Sequence, residues 1–357
     1  MDKEKPMVRD GNTPRPKKRY FAGFVGLALI GMWVAACGPT RGHQQALSVQ
    51  EPIVEKLDAA ANVFTSFDGA ELGLTVWEAA TDTEPEYVVV GVHGMNDYAM
   101  AFEYAGPYWA ARGVTTYAYD QRGFGRSVGR GIWPKEELMR EDLRAAVRAA
   151  RARHPEATLS VVGISMGAAV AMTAFGSDTP PAGVDRLILS GPGLRGWGGL
   201  PFHHRASLWA STKVRPSWIV VPPKFAVQKI TPSDNYDMLV RRGRDELNTF
   251  DNRIDQVYGV VSVMENGHKA AANLPANTLM LYGAKDDIIP EPFMRRTAPT
   301  LPTHVRTAYY ENGYHMLMRD LEHETVLEDQ FAFMQSAETP LPSGAPPIPW
   351  APAAEAN

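Results

Sequence analysis

A single cysteine, Cys37, stands in 357 residues, so no internal disulfide can form and packing must hold the fold. Metal-ligand spacing is missing too: His203-His204 has no partner cluster, and no metal or other cofactor is expected. The Gly-x-Gly of Gly123-Phe124-Gly125 is not continued into G-x-G-x-x-G, which argues against a dinucleotide or phosphate loop. There is no internal repeat. Positive charge is not in excess, with 36 Lys and Arg against 40 Asp and Glu, so nothing favours a nucleic-acid partner. The one long apolar run, residues 21–36, is too short for a comfortable membrane span. What is present is ample apolar sequence, 45% of residues, enough for one large domain or two ordinary ones.

The charge is unevenly placed. Residues 1–36 carry seven Lys and Arg against three Asp and Glu, and Lys17, Lys18 and Arg19 lead straight into the apolar run. A basic start, a short apolar stretch and small residues before a break describe a secretory signal. Val34-Ala35-Ala36-Cys37 resembles the bacterial lipobox, which implies a signal peptide over 1–36 and lipid attachment at Cys37. The resemblance gives the lone cysteine a purpose and implies a lipid-anchored protein of the bacterial cell envelope. Gly38, where an aspartate would mark inner-membrane retention, points towards the outer membrane. The alternative is an uncleaved anchor with an inert Cys37. Residues 37–58 then read as a polar tether.

Beyond the tether, two alternating runs around Asp68-Gly69 predict a β-hairpin. The apolar run 86–92 has the character of a strand buried on both faces. A helix is expected over 102–112, a strand over 114–119, and a helix over 135–153 with an arginine-rich solvated face. Strands follow at 159–162, 186–189, 279–283 and 305–310, and a last helix at about 322–335. Alternating strands and helices call for an α/β fold with a mostly parallel sheet and helices on both faces. Residues 194–274, rich in Pro and Trp, break the alternation and are placed as a cap, and 337–357, rich in Pro and Ala, as a disordered tail.

The chemistry centres on Gly163-Ile164-Ser165-Met166-Gly167, with an apolar strand before it and a small-residue helix after it. Strand, sharp turn and helix form the context in which G-x-S-x-G exposes a nucleophilic serine. A serine nucleophile needs a base, and the base an acid to orient it, in the chain order Ser, Asp, His. Asp286 follows one expected strand and His315 another, so Ser165, Asp286 and His315 are the candidate catalytic residues, with Asp287 the alternative acid. The amides of Met95, after His93-Gly94, and Met166 are the candidate oxyanion donors. His93 itself reads as structural.

The segments HGMNDY at 93–98, YDQRGFGRS at 119–127, GISMG at 163–167, LYGAKDDIIP at 281–290 and GYHMLMRD at 313–320 occur in that order. Together they resemble the α/β-hydrolases of the monoacylglycerol lipase and bacterial lysophospholipase group over residues 60–336. The resemblance implies the α/β-hydrolase fold with an inserted cap, and a serine hydrolase domain over 59–336. It also implies cleavage of a carboxylic ester of a small-molecule lipid through an acyl-enzyme, without a cofactor. One departure stands out: Asn96-Asp97-Tyr98 replaces the Gly-Glu-His frequent in relatives. A peptidase or an acyltransferase using the same residues, or a non-catalytic envelope lipoprotein, are the alternatives.

Overall fold

The computed structural model describes residues 43–48, 52–220 and 230–353. The signal segment, Cys37 and part of the cap around Val221 lie outside them. Eleven strands are described: β1 Lys56–Asp58, β2 Val63–Thr65, β3 Glu71–Trp77, β4 Tyr87–Val92, β5 Val114–Tyr119, β6 Thr158–Ile164, β7 Arg186–Ser190, β8 Ile219–Val220, β9 Asn252–Arg253, β10 Thr278–Gly283 and β11 Arg306–Tyr310. Nine of them form one sheet in the order β1-β2-β3-β5-β4-β6-β7-β10-β11. From β5 to β11 neighbours run parallel, while β1, β2 and β3 join antiparallel, β2 and β3 through the Asp68-Gly69 turn.

Val88, Val89, Val90 and Val92 in β4 are fully buried, as helices on both faces require. The chain leaves β4 to form β5 on one side, then crosses to β6 on the other. At such a reversal the crevice beyond the strands' carboxyl ends is left open for a ligand. The helix Glu136–Arg153 buries Leu138, Met139, Leu143, Ala146, Val147 and Ala150. Its arginines do more than face water. Arg151 binds the carbonyls of Pro155, Ala157 and Gly183, and Arg148 pairs with Glu55 and Glu141. The expected helix at 102–112 is shorter: a 3-10 turn, Ala99–Phe102, precedes the helix Ala105–Ala110. Gly113, at φ 82°, turns the chain away beyond it.

Helix Met166–Phe175 lies unusually close to the sheet. A Cβ on Gly167 would stand 2.1 Å from the Val92 carbonyl oxygen, and one on Gly163 2.7 Å from the Ala168 Cα. Small residues are therefore a steric requirement at this turn. Between β7 and β10 the chain inserts the helices Phe202–Val214, Tyr236–Arg244 and Ile254–Ala270, at the position expected for a cap. The last of these packs back on Met166–Phe175, Gly267 lying against Ala169.

Two expectations from composition need correction. The described part of the tether is docked: Gln44 Nε2 donates to the Ile132 carbonyl at 2.7 Å, and the Leu47 amide to Asp68 at 2.8 Å. β1 already belongs to the sheet. The tail is ordered through residue 353. It lies along β11, the sheet's last strand, where the Tyr309 amide donates to the Pro346 carbonyl at 2.8 Å and the Ile348 amide to Thr307 Oγ1 at 3.0 Å. Ile348 is buried and Trp350 packs edge-on against Tyr309. An exposed sheet edge needs partners for its backbone groups. A proline-rich segment with two apolar anchors supplies them here while offering few donors for a further strand.

Candidate active site

Four strands deliver the candidate residues to one place. β4 ends in His93-Gly94-Met95, β6 in Ser165, and the loops after β10 and β11 carry Asp286 and His315. Ser165 has φ 52° and ψ −115°, a left-handed conformation costly for a residue with a Cβ. It is locked there by the bond from its amide to the Ser190 carbonyl at 3.1 Å and by Gly193 and Ala169 amides on its own carbonyl, at 2.8 and 3.1 Å.

The Ser165 Oγ is 2.9 Å from His315 Nε2, and His315 Nδ1 is 2.7 Å from Asp286 Oδ2. The other Asp286 oxygen accepts the amides of Ile288 and Ile289 at 2.9 and 2.8 Å, which fixes the carboxylate plane. All three side chains are buried, Ser165 at 8% exposure and Asp286 at 4%. Asp287, the alternative acid, points elsewhere, its Oδ2 lying 3.4 Å from the Thr231 amide. Glycines permit the close assembly. A Cβ on Gly191, at φ 50°, would meet the His315 carbonyl oxygen at 2.8 Å, and one on Gly283 the Gly313 carbonyl oxygen at 2.4 Å.

Met166 follows Ser165 directly in the chain. Met166 is the first residue of its helix, so its amide has no carbonyl partner within the helix. Met95 lines the cavity that holds Ser165 and His315. The role of His93 follows from its bonds. Its Nε2 accepts the Gln121 amide at 2.8 Å, so the proton sits on Nδ1, which donates to the Gly94 carbonyl at 2.7 Å. In a trans peptide, holding that carbonyl fixes the Met95 N–H in the opposite direction. Burial pulls the His93 pKa down, against the attraction of Asp120, and the ring stays neutral at pH 7.

The cavity at Ser165 has a volume of about 320 Å³. Val260, Met264 and Ile288 belong to its wall and also to that of an apolar groove of about 580 Å³ beneath the cap, where Leu200, Leu208 and Val261 add to the lining. At the polar end of the Ser165 cavity stands a group that the sequence reading missed. Asp97 Oδ2 accepts bonds from Arg319 and, at 3.3 Å, from Arg242. Burial alone would raise the Asp97 carboxyl, but the guanidiniums of Arg319 and Arg242 hold it at about 2. Asn96, beside it, takes φ 63°, a conformation that asparagine tolerates better than most residues. The motif departure at 96–98 is thus where these arginines bind. Arg242 is 145 residues from Asp97 and Arg319 is 222, beyond the reach of any local pattern.

Among the described residues no three His, Cys, Asp or Glu side chains gather as a metal site, and no helix is long and apolar enough to cross a membrane. His203 and His204 lie exposed on a cap helix.

A mostly parallel sheet with a serine in a strained strand-to-helix turn, and a histidine and carboxylate beyond its last two strands, defines an α/β-hydrolase. The Hydrolase_4 family model, described as serine aminopeptidase, S33, matches residues 83–322, and the chain belongs to that family. It is 26% identical over 283 residues to a monoacylglycerol lipase of Mycolicibacterium smegmatis, covering 76% of this chain and 96% of the relative. Among solved structures, the monoacylglycerol lipase of Paleococcus ferrophilus superposes with a TM-score of 0.59 at 22% identity, over 72% of this chain and 97% of that one. A soluble variant of the Saccharomyces cerevisiae monoglyceride lipase gives 0.61 at 18% identity, over 84% and 99%. These structural likenesses speak for the fold.

Proposed function

We propose that the protein hydrolyses carboxylic esters of single-chain lipids, of the monoacylglycerol or lysophospholipid type, through an acyl-enzyme on Ser165. The observation that carries this reading is the hydrogen-bonded row Ser165–His315–Asp286 in a cavity whose wall continues into an apolar groove. His315 takes the Ser165 proton as the oxygen attacks the ester carbonyl. The Met95 and Met166 amides receive the developing oxyanion, and His315 then protonates the leaving alcohol. Water, activated by the same histidine, releases the acid. Asp286, held by two backbone amides, keeps His315 in the tautomer that can accept a proton at Nε2.

The family description also admits an aminopeptidase, which needs acidic groups to bind a substrate amine. The cavity wall argues against that here. Asp97, the carboxylate at the wall, is already shared by two arginines, while outside the wall Asp245 accepts the Tyr98 hydroxyl at 2.7 Å and Asp234 the Leu321 amide.

Hydrolysis of 1-monoacylglycerols from C4 to C16, followed by fatty-acid release, tests the ester reading. The groove predicts kcat/KM rising with chain length by about threefold to fifteenfold per added methylene pair, the upper figure for full burial, until the groove is filled. A decline from C4 onwards would contradict a long-chain substrate. Cleavage of aminoacyl amides with no ester turnover would favour the peptidase.

A further inference from the structure

Asp97, Arg242, Arg319 and His315 are the titratable side chains at the wall of the Ser165 cavity. Two guanidiniums face one carboxylate there, so the wall carries a surplus positive charge. Asp97 cannot neutralise both: its Oδ1 accepts the Tyr98 amide at 3.0 Å, and Oδ2 alone receives the two arginines. Asp286 belongs to His315; Asp245, outside the wall, attracts Arg242 without a bond to it and accepts the Tyr98 hydroxyl instead. The bonds to protein engage two nitrogens of Arg242, Nε to Asp97 and Nη2 to the Asn96 carbonyl at 3.2 Å, and one of Arg319. Each guanidinium has five N–H donors, so both retain capacity for a further acceptor. Arg319 is 5% exposed, which makes an added anion there an interaction in low dielectric.

The arginines also lie at a defined end of the substrate path. Neither borders the apolar groove, which meets the cavity at Val260, Met264 and Ile288. An acyl chain in the groove leaves the alcohol half of the ester towards His315 and Arg319, four residues further along the same loop.

We infer that Arg242 and Arg319 form a subsite for a phosphate carried by the alcohol half of the ester, which selects a lysophospholipid-type substrate over a neutral monoacylglycerol. This rests on the ester-hydrolase reading above. Paired guanidiniums suit phosphate because their planar donors match two of its oxygens at once. Arg319 is tied to Asp97 as a fixed pair, and Arg242, on the partly exposed helix Tyr236–Arg244, supplies the surplus charge.

The test compares the full chain with Arg242→Gln on 1-octanoylglycerol 3-phosphate and 1-octanoylglycerol, both below their micellar concentrations. The wild type is expected to favour the phosphate ester in kcat/KM by about tenfold or more, chiefly through KM. Arg242→Gln should lower that preference by about tenfold, and Arg242→Lys should restore part of it. A preference near one in the wild type, or one that Arg242→Gln leaves unmoved, overturns the subsite. Turnover of neither ester would sink the hydrolase reading instead, and calorimetric titration then judges the subsite separately. Glycerol 3-phosphate should bind the wild type at least tenfold more tightly than Arg242→Gln. Absence of that difference, or inorganic phosphate binding as tightly as glycerol 3-phosphate, overturns a headgroup site.

Discussion

Ser165→Ala is expected to lower kcat on any ester substrate by roughly 10³- to 10⁶-fold, with little change in KM. The methyl group leaves the backbone at φ 52° and keeps the Ser190 and Gly193 bonds, because those use main-chain atoms. Folding stability should therefore stay within about 1 kcal/mol of wild type. If the Met95 and Met166 amides form the oxyanion site as proposed, a residual rate above that of water is expected to remain. His315→Ala should cost a similar factor, and the double variant hardly more than either alone, because the two act as one unit. Steady-state kinetics on a chromogenic ester, with thermal unfolding as the control, makes the comparison. Retention of more than a tenth of the wild-type kcat in folded Ser165→Ala would contradict a nucleophilic Ser165.

Arg122→Met should destabilise the fold by about 3–5 kcal/mol at pH 7. Arg122 is 1% exposed and makes four bonds to two buried carboxylates, Asp68 and Asp142, at 2.6 to 2.9 Å. Burial pushes the Asp142 carboxyl up even with Arg122 present. Asp68 is likewise opposed by burial, yet Arg122 and the Leu47 and Ala70 amides bring its carboxyl down. Without the guanidinium, two carboxylates share a dry site, and at least one acquires a folded pKa well above the unfolded value near 3.9. A group so raised contributes its stability below the unfolded pKa and loses it as pH rises through the folded one. The deficit of Arg122→Met should thus be largest at neutral pH and shrink as pH falls towards 4. In the wild type the two carboxylates oppose each other: Asp68, lowered, contributes stability that is lost in acid, while Asp142, raised, contributes stability that is lost as pH rises. Urea unfolding of both proteins from pH 4 to 8 reads this. A deficit constant with pH would mean that Arg122 merely fills space.

Arg122 also marks the limit of what the sequence can express. Its residue type is visible, but its partners lie 54 and 20 residues away, and only the fold reveals that it is a buried cation. Within the candidate site the same division holds. Ser165, Gly163 and Gly167 are legible because a turn at positive φ against a close strand admits few residue types. Asp286 and His315 are legible because each follows a strand of the parallel sheet directly. The arginine pair on Asp97 was not, since it joins a motif loop, a cap helix and the segment after His315. Tether and tail misled for another reason: averaged composition hides single anchors such as Gln44, Ile348 and Trp350, which find partners only once the sheet edge and the Gly123–Gly131 loop exist.

The most direct test of a nucleophilic Ser165 is intact-mass analysis and peptide mapping of the full chain after an alkyl fluorophosphonate. One adduct is expected, on the peptide containing Ser165, formed at a rate that falls steeply when His315 is replaced. No adduct on folded protein that hydrolyses esters, or an adduct on another residue with Ser165 unmodified, would contradict it.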